Sequence, residues 1–111
     1  MIYRYLVKQP DLNAHGTLHG GVLMQWVDES CGMEAQIATK SVCATRYMGD
    51  IDFIETARVG DILEVITSLE STGKTSITFR AKVRRVDGTV IANFTSLVFV
   101  AIDENHNPIV H

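Results

Sequence analysis

The sequence predicts an α+β fold in which an antiparallel sheet of about five strands wraps one long helix. Three observations carry this expectation. A Pro-free stretch from Gly21 to about Ala38 has the 3.6-residue apolar period of a helix. Everything after it shifts to the two-residue alternation and β-branched runs of strands, punctuated by Gly60-Asp61, Thr72-Gly73 and Asp87-Gly88. A short β-forming segment precedes the helix, so the order is strand, helix, then four strands.

The first strand is read over "IYRYLVKQ", rich in β-formers and stopped by Pro10, which has no N–H to give to a ladder. On a helical wheel, Leu23, Trp26, Val27, Ser30, Cys31, Met33, Ile37 and Ala38 gather on one broad arc. Gln25, Asp28, Glu29, Gly32 and Gln36 take the other. Asp28 stands at its margin beside Gly32 and Ala35, where little side chain blocks the approach of another chain or a ligand. Glu34 falls inside the apolar arc, where an unpaired charge is costly, so it requires a partner that the sequence does not name.

The later strands are "SVCATRYMGDIDFI", "DILEVITSLE", "KTSITFRAKVRRV" and "TVIANFTSLVFVAI", expected to be antiparallel and joined by hairpins. In "KTSITFRAKVRRV", Ile77, Phe79, Ala81 and Val83 face one side and Thr78, Arg80, Lys82 and Arg84 the other, as in a sheet with one wet face. The last strand is apolar on both faces, which implies a covered outer side. The tail "DENHNPIVH" is polar and reads as loose.

With 111 residues the chain is expected to be one domain, spanning 1–111, with enough exposed surface to associate with a second copy. Ten basic residues against thirteen acidic ones leave no basic stripe for a nucleic-acid backbone. Hydrophobic residues make up 46% of the chain, yet no apolar run approaches the roughly 20 residues that span a bilayer. No signal-peptide core follows Met1 either, so a cytoplasmic location is expected. Cys31 and Cys43 have no metal-type spacing and read as reduced packing residues.

The chemistry concentrates in "NAHGTLHGGVLMQWVDE", Asn13 to Glu29, where a loop rich in Gly and His runs into the helix. Gly20 and Gly21 stand at the helix start, where unpaired N–H groups and the positive end of the dipole favour negative charge. They are equally compatible with a tight loop and nothing more. Asp28 lies too far along the helix to cap it, and by itself could be a solvated helix residue, as Asn13 could be a turn former and His19 a satisfied loop histidine. His15 and His19 sit in a glycine loop rather than on a helix face, so no metal site is expected. Lys74, Arg80, Lys82 and Arg84 form a cationic group suited to phosphates, although a charged strand face is by default solvated.

Asn13-x-x-Gly16-x-x-His19-Gly20-Gly21 followed by Val27-Asp28-Glu29 resembles the loop-and-helix signature of hot-dog-fold acyl-CoA thioesterases, shared by acyl-CoA hydrolases and phenylacetyl-CoA type thioesterases. The later "VCATRYMGDIDFIETARVGD" resembles their second strand and the turns after it. The resemblance covers nearly the whole chain. It implies a hot-dog fold and a cofactor-independent hydrolase of acyl-CoA, working as a homodimer or as a tetramer or hexamer built from dimers. It further implies Asp28 as general base or nucleophile, an oxyanion site at Gly21, and Asn13 contributed by the neighbouring subunit. His19, Gly20, Lys74 and Arg80 are the expected substrate contacts, with Lys74 first for the coenzyme A phosphates. The hydrolase branch often has an aromatic residue where His19 stands, so at that position the chain leans toward the phenylacetyl-CoA type. Thr56 stands where the family usually has proline, beside the loop bordering the acyl channel. A non-catalytic acyl-CoA or lipid-binding module on the same fold is the rival reading, and it would not need Asp28.

Overall fold

The computed structural model describes all residues, 1–111. Strand β1 (Ile2–Leu6) and a 3-10 turn (Gln9–Asp11) lead to helix α1 (Gly20–Thr39), and strands β2 (Cys43–Phe53), β3 (Ile62–Thr72), β4 (Ser76–Arg85) and β5 (Val90–Ala101) follow. All four pairings are antiparallel in the order β1-β3-β4-β5-β2, so β1 and β2 are the edges. Helix α1 lies on one face of this sheet. This is the hot-dog arrangement expected from the sequence.

Helix α1 forms where the apolar period runs without proline, one residue longer at each end than its expected bounds. His19 caps its start with an imidazole that accepts from the Gly21 N–H, and Lys40 ends it in the left-handed region. Leu23, Trp26, Val27, Cys31 and Ala35 are buried against Leu63, Val65, Phe79, Val83, Phe94, Leu97 and Phe99 of the sheet. Ser30 and Thr39 are buried too, and each returns its hydroxyl proton to the carbonyl four residues earlier.

Glu34 does find a partner, the hydroxyl of Thr67 on β3. The Tyr3 phenol faces the same carboxylate, and burial first and then that charge raise its pKa. Three other expectations are corrected. The connection from β2 to β3 is a crossover and not a hairpin, because β2 pairs with β5 while β3 lies between β1 and β4. Much of the two-sided apolar pattern of β5 comes from bulges. Phe79 and Ala81 of β4 face Leu97 and Phe94, so one extra residue on β5 reverses the parity and turns both apolar side chains inward. A second shift follows between Val83 and Arg84. The tail is not loose: Ile109 N–H bonds the Ala101 carbonyl at 2.9 Å, and Asp103 accepts from the N–H groups of Asn105 and Asn107.

Candidate active site

Strand β2 runs back along α1. A Cβ built on Gly20 would meet the Phe53 ring at 3.6 Å, while Thr39 Oγ1 lies 3.3 Å from Cys43 Sγ, so the start of the helix faces the end of the strand and the reverse. Between these two contacts, Thr45 donates its hydroxyl to Oδ1 of Asp28 at 2.5 Å, the length of a charge-assisted O–H···O⁻ bond. The inward parity of Thr45 is set by its pairing with buried Phe99. One carboxylate oxygen is thereby fixed, and Asp28 lines an open cavity of about 520 Å³, whose walls include Gly32, Met33, Ile37, Cys43 and Phe99.

Asn13 lies elsewhere. Its Oδ1 accepts from the N–H groups of His15 and Thr17, at 2.9 and 3.2 Å, and closes the loop as an Asx turn. With Gly20, Phe53, Glu55 and Thr56 it lines a separate cavity of about 200 Å³. One chain therefore brings Asn13 to Gly20 and Asp28 to Thr45, but does not bring these two pairs into one cavity.

At the helix start, the Gly21 N–H donates to His19 Nδ1 at 2.9 Å, which requires that ring nitrogen to carry no proton. The N–H groups of Val22 and Leu23 go to the His19 carbonyl. The Gly20 N–H has no partner in the chain, whereas the Gly21 N–H is taken by the His19 ring. His19 itself is exposed at the edge of this region.

The cations divide. Lys74 is exposed in the β3–β4 turn, at the end of the sheet that carries Cys43, since Thr75 bonds Ala101 and Ala101 pairs with Cys43. Arg80 is ion-paired to Glu70 at 3.0 Å on the outward face of β4, opposite the face that packs α1, so a chain does not bring it to its own Asp28. His15 and His19 gather no third donor of the kind a metal would need.

Burial, and then the charges of Glu34 and Asp28, push the Cys31 thiol up to about 12. That fits a packing role. Cys43 differs, because it forms part of the wall beside Thr45. Thr45 was absent from the residues expected at the site. Its one signal in the sequence is a hydroxyl on the inward parity of a strand, where an apolar residue is the rule.

A family model described as the thioesterase superfamily matches residues 15–92. The chain belongs to the thioesterase superfamily. Among solved structures, a hexameric acyl-CoA thioesterase superposes with a TM-score of 0.89 at 31% identity, over 99% of this chain and 73% of the other. An acyl-CoA hydrolase of Staphylococcus aureus, solved with butyryl coenzyme A, coenzyme A and coenzyme A disulfide, gives 0.89 at 26% identity over 99% of this chain and 70% of its own. A Deinococcus radiodurans protein provisionally named an esterase is 34% identical over 93 residues, 83% of this chain, which spans 62% of that protein's length. The Staphylococcus enzyme has also been solved with an asparagine, an aspartate and a threonine each replaced by alanine. In that enzyme the aspartate follows the asparagine by 15 positions and the threonine follows the aspartate by 17. Asn13, Asp28 and Thr45 of this thioesterase-superfamily chain stand at the same intervals.

Proposed function

We propose that the protein hydrolyses acyl-CoA thioesters to the free acid and coenzyme A, with Asp28 as the reacting carboxylate. The observation that carries this reading is the Thr45–Asp28 hydrogen bond at the cavity wall. Such a bond holds one carboxylate oxygen still and leaves the other to act. In one route Asp28 takes a proton from water as that water attacks the thioester carbon. In the other the carboxylate attacks first, and water then cleaves the resulting anhydride. Either route ends with carboxylic acid and thiol, and both build negative charge on the thioester oxygen. The unpaired Gly20 N–H at the positive end of α1 is suited to receive that charge, and Gly21 would join it if the His19 ring swung away.

The site is completed between two subunits on this reading. Strand β2 is a free edge, and antiparallel pairing of two copies about Gly49 would set Thr45 of one opposite Phe53 of the other. Since Phe53 backs Gly20 and shares its cavity with Asn13, that pairing would carry Asn13 and Gly20 of one protomer toward Asp28 of its partner. Asn13 then orients the water or the carbonyl, and the dimer is the unit from which a tetramer or hexamer would be built. His19 borders the same entrance. Lys74, at the Cys43 end of the cavity wall, is our choice for the coenzyme A phosphates, with Arg80 a candidate only from a different protomer. No helix is long and apolar enough to cross a membrane. A cytoplasmic site of action, where coenzyme A thioesters and reduced cysteines occur together, accords with this chemistry.

The test is release of free thiol from a panel of acyl-CoA substrates, followed with a chromogenic thiol reagent. Enzymatic release that saturates with substrate supports the reading. Tight acyl-CoA binding with no release would instead identify a binding module.

A further inference from the structure

Gly32 is the one glycine of α1 beyond its first two residues. Glycine inside a helix is less stable than alanine, because it gives up more backbone freedom on folding. Two reasons within the chain commonly retain it, and neither applies. Gly32 has no positive φ. A Cβ built on it would meet a single atom, Phe99 Cε1, at 3.5 Å, an ordinary van der Waals contact. The missing side chain leaves space instead, in the cavity beside Asp28. Gly32 follows Asp28 by one turn on the same stripe, about 6 Å along the helix axis.

We propose that Gly32 determines acyl specificity, the carbons beyond the thioester lying over its bare backbone and against the edge of Phe99. This rests on the acyl-CoA hydrolase reading above. Met33, Ile37 and Phe99 offer a thioether, a branched aliphatic chain and an aromatic edge, so the acyl group accepted there is apolar, linear or flat. Asp28 and Glu29 line the same cavity and would repel an acyl group that ends in a second carboxylate.

Gly32→Ala and Gly32→Leu test this, with kcat/KM measured for acetyl-, butyryl-, hexanoyl- and phenylacetyl-CoA and with the melting temperature taken for each protein. Gly32→Ala should melt higher, by roughly 2–5 °C, as expected for relieving a helix-interior glycine. Its hexanoyl-to-acetyl ratio of kcat/KM should nevertheless fall by about ten-fold, the scale of one methyl group in an apolar pocket, and further in Gly32→Leu. The affinity of coenzyme A alone, which has no acyl group, should follow neither change. An unchanged ratio in Gly32→Ala, or an equal loss on all four substrates, overturns the assignment even though the wild type is active. A wild type that releases no thiol from any of them sinks the hydrolase reading itself.

Discussion

The hydroxyl of Thr45 donates to Oδ1 of Asp28 at 2.5 Å, tying an edge strand to the helix across 17 residues of sequence. Removing that donor leaves the carboxylate in place but free to turn. Thr45→Val should therefore lower kcat by about 10- to 100-fold with little change in KM, as for loss of one hydrogen bond to a charged group. Thr45→Ser keeps the hydroxyl and should recover most of the rate. Equal damage from both substitutions would show that Thr45 acts through packing of β2.

Asn13 and Asp28 should complement each other across subunits. Asn13→Ala and Asp28→Ala homodimers are each expected to be nearly inactive, whereas a mixed dimer has one intact site and one doubly defective site. After random exchange at equal concentrations about half the dimers are mixed, so activity per subunit should recover to roughly one quarter of wild type under two-fold symmetry. Co-expression or joint refolding supplies the exchange. Verified heterodimers no more active than their parents would place both residues in one chain's site, or in none.

Much of the fold was legible because its signals are local. The helix followed from an apolar period without proline, and the alternation of Ile77, Phe79, Ala81 and Val83 gave β4 its inward face. What stayed hidden depends on contacts distant in sequence. The turn at Gly60-Asp61 reads as a hairpin, yet β2 and β3 lie apart because β5 takes the place beside β2. Bulges in β5 mimic a two-sided apolar strand. Glu34 meets Thr67 from 33 residues away, a distance over which sequence spacing conveys nothing. At the candidate site, Asp28 could be singled out as a carboxylate beside small residues, whereas Thr45 looks like any β-forming threonine until the strand is laid against the helix.

The two cysteines should separate under a thiol reagent. With a pKa near 12 the buried Cys31 has almost no thiolate at pH 8, so the native protein should react quickly at Cys43 alone and at both residues once unfolded. Two fast equivalents in the native state would contradict the burial of Cys31.

Glu64 provides a pH test of the fold. Its nearly buried side chain accepts from Arg84 at 3.0 Å and from Arg4 at 2.9 Å, joining β1, β3 and β4 on the outward face. The Arg84 hydrogen bond first, and then Arg4, hold its carboxyl below the usual range. A depressed pKa stabilises the folded state above the unfolded value of about 4.3, and that gain is lost as pH falls through the folded value. Glu64→Gln should melt below wild type at neutral pH, with the gap closing as the pH drops under about 4. A gap that persists at low pH would assign the residue a packing role instead.

The proposed hydrolysis rests on the Asp28 carboxylate, and the turnover of Asp28→Asn on an accepted acyl-CoA tests this most directly. The substitution keeps shape and the Thr45 contact while removing the basic and nucleophilic oxygen. The folded variant should lose at least about 100-fold in kcat, the scale of a positioned base. Turnover at the wild-type rate would contradict the assignment of Asp28 as the reacting group.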